Sequence, residues 1–132
     1  NQRRLKKAFT GPPQDGQSLF PEDEVRRLMH MLLGGLHHIH ANGVIHRDLK
    51  PENCLIDKNL KLKIIDFGLS KLASQYEHGR IMLGTPEYLA PEVFITEGSN
   101  SAYTAPLDCW SSGIIMYQLI SGIRPFDGDT VQ

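Results

Sequence analysis

The sequence predicts a mainly α-helical fold that also contains a small β-hairpin unit, so the fold class is α+β overall. Three observations support this prediction: an amphipathic segment over residues 21–41, three short β-like runs over 44–65, and a strongly apolar segment over 108–121. The predicted order is helix, small β unit, long loop and helix. No internal repeat and no low-complexity tract interrupts this order.

The first long helix is predicted to begin at Pro21, after a basic stretch over 1–9 that is compatible with a short helix and a loop over 10–18. Proline fits the first turn of a helix because its missing N–H has no partner there, and the acidic residues 22–24 favour the positive end of the helix dipole. Apolar residues then recur three and four positions apart, which predicts one buried stripe. The stripe consists of Val25, Leu28, Met29, Leu32, Leu33, Leu36 and Ile39.

Glycines mark two further features of this helix. Gly43, which follows Asn42, is the residue type that adopts the left-handed conformation at a helix end. Gly34 and Gly35 lie in the middle of the predicted helix, where each costs about 1 kcal/mol relative to alanine. We therefore expect another part of the chain to pack closely against both.

The β unit is predicted from the runs 44–45, 54–56 and 62–65, and the segment 57–59 between the last two is a candidate hairpin turn. From residue 69 to residue 93 no periodicity persists, which predicts a long ordered loop. The second helix is predicted over about 108–121, with Asp108 as its N-cap and Gly122 as its end. Its apolar residues face more than one side, which predicts a deeply buried helix: Trp110, Ile114, Ile115, Met116, Leu119 and Ile120.

Composition excludes several classes of protein. The chain has 132 residues, 14 Lys and Arg against 15 Asp and Glu, and a formal net charge of -1, which argues against a generally basic nucleic-acid binder. Cys54 and Cys109 are too few and too far apart for a disulfide scaffold or a zinc site, and indicate an intracellular protein, cytoplasmic or nuclear or both. The longest apolar run is too short to span a membrane. Because the first residue is Asn1, we expect the natural chain to start earlier.

The first chemical motif is the string HRDLKPEN over residues 46–53, which lies between two β-like runs and is predicted to form an exposed loop. Asp48 can accept a proton from an attacking hydroxyl, Asn53 offers a neutral oxygen suited to Mg²⁺, and Lys50 offers a positive charge for a phosphate. Taken alone, such a string is more often an ordinary polar turn.

Three further strings accompany it: IDFG over 65–68, GTPEYLAPE over 84–92 and DCWSSG over 108–113. Asp66 would be a second hard oxygen ligand, and a divalent ion between Asp66 and Asn53 would hold nucleotide phosphates. Together the four strings resemble the protein-kinase family, whose HRDLxxxxN, DFG, APE and D-x-W-S motifs occur in this order.

The resemblance covers essentially all 132 residues but corresponds to only part of a kinase domain, most of its C-terminal (large) lobe. It implies an ATP-dependent protein serine/threonine kinase that uses Mg²⁺ and acts on protein substrates. It also implies that the small lobe, with its Gly-rich loop and phosphate-gripping lysine, precedes Asn1 and completes the site in cis. An arginine partner of Glu92 would follow Gln132. Residues 1–132 alone are therefore expected to be inactive.

Carried over position by position, the resemblance makes Asp48 the catalytic base. Lys50 would neutralise the transferring phosphoryl group, and its place two residues after Asp48 is similar to serine/threonine kinases rather than tyrosine kinases. Thr85 would bridge Asp48 and Lys50 through its hydroxyl. The residues implied to contact the nucleotide are Lys50, Glu52, Asn53, Leu55 and Asp66.

Within that set, Asn53 and Asp66 are the implied Mg²⁺ ligands, and Leu55 is implied to pack beneath the adenine ring. His46 and Phe67 are implied to stack on each other inside the lobe. Asp108 is implied to hydrogen-bond the backbone of the catalytic loop. This agrees with its predicted role as an N-cap, although one side chain has limited acceptor capacity to serve both roles fully.

One departure concerns activation. Arg47 precedes Asp48, a feature of kinases whose activation loop is ordered by a phosphate. The positions that usually carry this phosphate cannot be phosphorylated here, since they are Arg80, Ile81, Met82 and Leu83. We expect activation to proceed without phosphorylation at that place.

Two features suggest substrate class and subgroup. Glu52 occupies the position at which basophilic kinases contact an arginine upstream of the target hydroxyl, which favours a basic Ser/Thr motif; the alternative is a solvated loop carboxylate. The segment 97–101, a small inserted loop, and the GTPEYLAPEV and DCWSSG strings are similar to the calcium/calmodulin-dependent kinase group. Calmodulin is accordingly one candidate partner.

Competing interpretations remain open at this stage. The main one is a pseudokinase or scaffold that keeps the fold for protein binding, and a weaker one is a lipid or small-molecule kinase. A metal site is disfavoured because no histidine pair on the first helix has i, i+4 spacing among His30, His37, His38 and His40. The basic residues of 1–9 favour a solvated face over a nucleic-acid contact, and we expect neither a nucleic-acid nor a membrane partner.

Overall fold

The structure, a computed structural model, describes residues 20–74, 83–95 and 104–126. The basic stretch over 1–9, the loop over 10–18, the phosphosite positions 80–82 and the inserted loop 97–101 lie outside the described residues. Helices and two small antiparallel sheets make up the described part, as the predicted α+β class requires.

Helix α1 spans Glu22–Ala41 and confirms the first predicted helix. Pro21 lies just before the helix rather than in its first turn, and its carbonyl accepts hydrogen bonds from the next turn. Five members of the predicted stripe are buried: Val25, Leu28, Met29, Leu32 and Leu36. The prediction is wrong for Leu33, whose side chain is 48% exposed. Leu33 lies about 100° around the helix from Leu32, which turns it away from the core.

The glycines of α1 behave differently from one another. A Cβ atom on Gly35 would lie 3.3 Å from Cδ1 of Ile64, so the predicted close packing is confirmed at this position. The prediction is wrong for Gly34, where a Cβ atom would meet nothing within 4 Å. Gly43 adopts a φ of +71° and donates its N–H to the carbonyl of His40, which ends the helix as predicted.

The predicted β runs form strands β1 (Val44–Ile45), β2 (Cys54–Ile56) and β3 (Leu62–Ile64). Strands β2 and β3 pair as an antiparallel hairpin. Its turn is held by Asp57, whose Oδ1 accepts the N–H groups of Asn59 and Lys61. Strand β1 pairs with β4 (Lys71–Leu72), a strand inside the predicted loop over 69–93 that the sequence did not reveal. A strand of two residues is too short to show alternation.

Three short helical elements lie between β1 and the second long helix, and the first of them connects β1 to β2. Residues Pro51–Asn53 and Pro86–Tyr88 form 3₁₀ helices, each with proline at its start. Helix α2 spans Glu92–Ile95. The 3₁₀ helices begin directly after Lys50 and Thr85, so they fix the backbone on which these two side chains stand.

Helix α3 spans Pro106–Ser121, and Gly122 ends it with a φ of 76° and an N–H that donates to the carbonyl of Gln118. The prediction of Asp108 as N-cap is wrong, because Ala105 holds that position and Asp108 lies in the first turn. The prediction of a deeply buried helix is wrong for one face. Three of the six apolar side chains on which the prediction depended are substantially exposed: Trp110, Met116 and Ile120.

The core lies between α1, α3 and the β2–β3 hairpin. Leu28 and Leu32 of α1 meet Ile115 and Leu119 of α3, and Cys54 closes the layer from the hairpin. This arrangement brings the loop between β1 and β2 over the N-terminal half of α3. Among the described residues, no helix combines the length and the hydropathy needed to cross a membrane.

Candidate active site

The site begins with a buried carboxylate. Asp108 of α3 is 1% exposed and accepts the backbone N–H of His46 at 2.8 Å and of Arg47 at 2.9 Å. Its Oδ2 also lies 2.8 Å from Nε2 of His40. These contacts satisfy a group that would otherwise be costly to bury. They confirm that Asp108 binds the backbone of the loop over 46–53, and explain why its side chain is not available as an N-cap.

Arg47 joins this loop to the segment that starts at Gly84. The φ of Arg47 is 68°, in the left-handed region, and its Nε donates to the carbonyl of Leu69. Gly84 has a φ of +113°, and a Cβ atom there would lie 2.7 Å from the carbonyl oxygen of Arg47. Only glycine permits both this conformation and this approach. The GTPEYLAPE segment therefore runs directly against the HRD backbone.

Three side chains meet next to this contact. Thr85 donates its hydroxyl to Oδ1 of Asp48 at 2.7 Å, and Lys50 donates its Nζ to the same hydroxyl at 2.7 Å. Nζ of Lys50 also lies 2.9 Å from Oδ2 of Asp48. The predicted bridge between Asp48 and Lys50 through Thr85 is thus present in the structure.

The electrostatics of Asp48 follow from these contacts. Burial raises the pKa of the Asp48 carboxyl, but hydrogen bonds from Lys50, Thr85 and Asn53 and the charge of Lys50 outweigh burial and hold the pKa below its ordinary value of 3.8. The carboxylate is therefore ionised at neutral pH. An ionised carboxylate with one ammonium and one hydroxyl beside it can align a second hydroxyl and accept its proton.

Asn53 lies on the other side of Asp48. Its side chain is buried, and Nδ2 donates to the carbonyl oxygen of Asp48 at 2.8 Å and to Oδ2 at 3.3 Å. Because the amide nitrogen is committed to Asp48, Oδ1 is the atom that remains for a cation.

Backbone hydrogen bonds at Ile65 bring the IDFG string to this amide. The N–H of Ile65 donates to the carbonyl of Asn53 at 2.9 Å, and the carbonyl of Ile65 lies 3.0 Å from Nε2 of His46. Asp66, the next residue, has an exposed side chain and a φ of 63°. Its Oδ1 accepts the N–H of Gly68 at 3.2 Å.

The donor set fits Mg²⁺. One carboxylate and one amide oxygen leave the remaining coordination positions to water and phosphate oxygens, as Mg²⁺ prefers. In the described part of the chain, no three His, Cys, Asp or Glu side chains gather as a group that could hold a metal, so a cage made of protein side chains is absent there. His40 is instead engaged by Asp108.

The remaining predicted residues lie at the edge of this group. His46 and Phe67 contact each other edge to face, with ring centroids 5.0 Å apart, rather than stacking in parallel. Leu55 is half-buried in β2, and the side chain of Glu52 is exposed in the first 3₁₀ helix. Among the described residues, no hydrogen bond or ion pair connects Glu52 to Asp48 or Thr85.

Sequence reasoning missed the residues that hold the GTPEYLAPE segment on α3. The hydroxyl of Tyr88 donates to Oε1 of Gln118 at 2.9 Å, and Ser111 donates to the carbonyl of Tyr88 at 2.7 Å. Arg124 pairs with Glu87 at 2.7 Å. None of these pairs has a periodicity or spacing that the sequence could reveal, because their members are 23 to 37 positions apart.

Comparison with protein families matches residues 2–132 to the family described as Protein kinase domain. The chain belongs to the protein kinase domain family. Among curated relatives, it is 46% identical over 110 residues to CBL-interacting protein kinase 26 of Oryza sativa subsp. japonica, covering 81% of this chain and 22% of that protein. It is 41% identical over 121 residues to serine/threonine-protein kinase 17A of Oryctolagus cuniculus, covering 89% and 30%.

A third relative is the SNF1-related protein kinase catalytic subunit alpha KIN12 of Arabidopsis thaliana, which is 41% identical over 110 residues, or 83% of this chain and 22% of that protein. This kinase chain thus spans less than a third of the length of the relatives it matches. The family is consistent with the α+β architecture observed and with the four motifs on which the resemblance depended.

Proposed function

We propose that this kinase chain is most of the large lobe of an ATP-dependent protein serine/threonine kinase. The intact protein transfers the γ-phosphoryl group of Mg-ATP to Ser or Thr hydroxyls of protein substrates. The observation that carries the proposal is the hydrogen-bonded group of Asp48, Lys50 and Thr85, with Asn53 beside it. The Asp48 carboxylate and the Lys50 ammonium are bridged by the Thr85 hydroxyl. This arrangement suits phosphoryl transfer, which depends on positioning and charge neutralisation.

Each residue has a distinct role in this proposal. Asp48 orients the substrate hydroxyl and accepts its proton, and its lowered pKa keeps it ionised for this task. Lys50 places its charge beside the transferring group. Thr85 fixes the distance between Asp48 and Lys50. Asn53 and Asp66 are the residues that would hold Mg²⁺, which would supply positive charge to offset that of the nucleotide phosphates.

The nucleotide and the substrate peptide are proposed to bind at neighbouring surfaces, which carry Leu55 and Glu52 respectively. Leu55, half-buried in β2, is proposed to pack beneath the adenine ring. Glu52 is proposed to favour a basic substrate residue upstream of the target hydroxyl, since its carboxylate is exposed two positions after Lys50. The small lobe of the same protein would complete the phosphate site, so residues 1–132 alone are expected to be inactive. An intracellular location, cytoplasmic or nuclear or both, is part of this proposal.

The subgroup is a finer proposal. The GTPEYLAPEV and DCWSSG strings support membership of the calcium/calmodulin-dependent kinase group, with calmodulin as a candidate partner. The relatives are named as CBL-interacting and SNF1-related kinases among others, which gives the subgroup no direct support. Calmodulin affinity measured with and without calcium tests it.

The decisive experiment uses the full-length protein that contains this chain. Transfer of labelled γ-phosphate to a serine peptide with an upstream arginine is expected, with a turnover of about 1–100 s⁻¹. Asp48→Asn should abolish transfer, whereas Asp23→Asn, at an exposed position of α1, should not change it. Nucleotide binding without any transfer by the wild type would instead support a pseudokinase or scaffold.

A further inference from the structure

Two similar structural units flank the Asp48–Lys50–Thr85 group. Each is a 3₁₀ helix that starts with proline followed by glutamate, Pro51–Asn53 in one case and Pro86–Tyr88 in the other. Glu52 follows Lys50 by two positions, and Glu87 follows Thr85 by two positions. A 3₁₀ helix rises about 2 Å per residue, so the backbone of each glutamate lies only about 4 Å along the chain from a residue of this group.

The two carboxylates act on a common neighbour. Burial, together with the negative charges of Glu52 and Glu87, raises the pKa of the Tyr88 phenol to about 12, while the positive charge of Arg124 opposes this rise. The influence of a charge on a pKa falls with distance, so this shift supports a placement of all three groups on the side of the lobe that carries Tyr88. The contact that defines this surface is the ion pair of Glu87, the residue before Tyr88, with Arg124.

Arg124 forms an ion pair with one of the two carboxylates, that of Glu87. Its Nη1 lies 2.7 Å from Oε1 of Glu87, and the two side chains are 32% and 35% exposed. The guanidinium comes from the loop after Gly122, and Tyr88 is held on α3 through Gln118. In the described part of the chain, Glu52 has no ion-pair partner, and its side chain is exposed.

We propose that Arg124 determines substrate specificity: it neutralises Glu87, so that Glu52 is the available carboxylate of the two, and a second upstream basic residue in the substrate adds little to recognition. This inference rests on the proposed function, because it assumes a peptide substrate. In this proposal Arg124 acts through Glu87 and does not contact the reacting atoms.

The physical reason is competition within the molecule. A second substrate arginine that approaches Glu87 must displace Arg124 from a charge-assisted hydrogen bond, and two cations then share one carboxylate. Arg124 is already tethered next to Glu87, so its effective concentration exceeds that of any free peptide. The substrate gains little from its second charge as long as Arg124 is present.

The test compares two serine peptides that differ only in having one or two upstream arginines. For each variant of the full-length protein, the measured quantity is the ratio of kcat/KM for the two-arginine peptide to kcat/KM for the one-arginine peptide. This ratio does not depend on the fraction of folded enzyme. Arg124→Ala is expected to raise it about three- to fivefold, the effect of freeing one partly exposed carboxylate.

Two controls isolate the mechanism. Arg26 of α1 also forms a 2.7 Å ion pair, with Glu22, far along the chain from the site, so Arg26→Ala should leave the ratio unchanged. The double variant Glu87→Gln with Arg124→Ala should return the ratio to that of the wild type, because no carboxylate is freed. An unchanged ratio in Arg124→Ala, or an equal rise in the double variant, would overturn the proposal.

Failure of the proposed function gives a different result. If the wild type phosphorylates neither peptide, the Kd values of the same two peptides, measured by fluorescence anisotropy, supply the ratio without turnover. Arg124→Ala should then increase the preference for the two-arginine peptide by the same factor. Equal preferences in wild type and variant would refute the role of Arg124 independently of catalysis.

Discussion

The hydroxyl of Thr85 donates a 2.7 Å hydrogen bond to Oδ1 of Asp48, although the two residues are 37 positions apart. The hydroxyl oxygen of Thr85 also accepts a hydrogen bond from Nζ of Lys50 at 2.7 Å. One side chain thus controls the separation of a negative and a positive charge at the centre of the site. This relationship leads to the first prediction.

Thr85→Val keeps the shape of the side chain and removes its hydroxyl. We expect kcat of the full-length protein to fall about 100-fold, the scale of loss when reacting groups are misplaced by about 1 Å. Thr85→Ser restores a hydroxyl and should retain most of the activity. Equal activity of Thr85→Val and wild type in a peptide phosphorylation assay would show that the bridge has no catalytic role.

The lowered pKa of Asp48 predicts a pH dependence of stability. A carboxyl whose pKa is lower in the folded state stabilises the fold above its unfolded pKa, near 3.8, and this stabilisation is lost as the pH falls through the folded value. The difference in unfolding free energy between wild type and Asp48→Asn should therefore shrink as the pH is lowered below about 4. Urea titrations at several pH values measure it.

Lys50→Met provides the matched control for this titration. It removes a hydrogen-bond donor and the main positive charge beside Asp48, so the pKa of Asp48 should rise. Carboxyl NMR shifts of Asp48 report the change directly. A pKa of Asp48 that is the same in Lys50→Met and in the wild type would contradict the electrostatic account.

Asp108→Asn should destabilise the chain by about 2–3 kcal/mol. The amide places an NH₂ group against one of the two backbone N–H donors of His46 and Arg47, which leaves a buried donor without an acceptor. The neighbouring exposed position supplies the control, since Cys109→Ser should change stability by less than about 0.5 kcal/mol. Chemical unfolding measures the free energy of unfolding of both variants. A loss in Asp108→Asn no larger than that in Cys109→Ser would contradict this prediction.

Gly84→Ala and Gly113→Ala are expected to have opposite effects. At Gly84 the positive φ and the Arg47 carbonyl, 2.7 Å from a new Cβ atom, predict a loss of at least about 1–3 kcal/mol. At Gly113, inside α3, a Cβ atom meets nothing within 4 Å, and alanine should stabilise the helix by up to about 1 kcal/mol. The melting temperatures of both variants test this prediction. Shifts in the same direction would argue against the described backbone geometry at Gly84 and Gly113.

The two cysteines should differ in reactivity. Burial, followed by the charge of Glu52, raises the pKa of the Cys54 thiol to about 12, whereas Cys109 is exposed. Iodoacetamide at pH 8 should therefore modify Cys109 in the folded chain and reach Cys54 only after unfolding. Mass spectrometry of the digested protein measures both. Alkylation of Cys54 at the rate of Cys109 would show that the core is open.

Local features of the fold were predictable because local chemistry determines them. The spacing of Leu28, Leu32 and Leu36 fixed the buried face of α1, and the left-handed preference of Gly43 fixed its end. The hairpin followed from two β-like runs around Asp57. These signals are contained within a few consecutive residues, so no knowledge of tertiary contacts was needed.

Tertiary competition explains what sequence reasoning missed. Asp108 has the chemistry of an N-cap, but the backbone N–H groups of His46 and Arg47 use its carboxylate. Strand β4 exists because β1 supplies a partner, and its two residues carry no pattern of their own. Trp110 was predicted to be buried from its apolar character, which does not specify which face of α3 is covered in the described structure.

Arg47, which precedes Asp48, and Asp66, an implied Mg²⁺ ligand, both have positive φ values. Non-glycine residues accept this conformation at a cost of about 1 kcal/mol or more each, so contacts from distant segments must maintain it. A synthetic peptide covering 44–68 lacks Asp108 and would relax to ordinary backbone angles. The reactive geometry is consequently a property of the assembled lobe and cannot be transferred as a linear epitope.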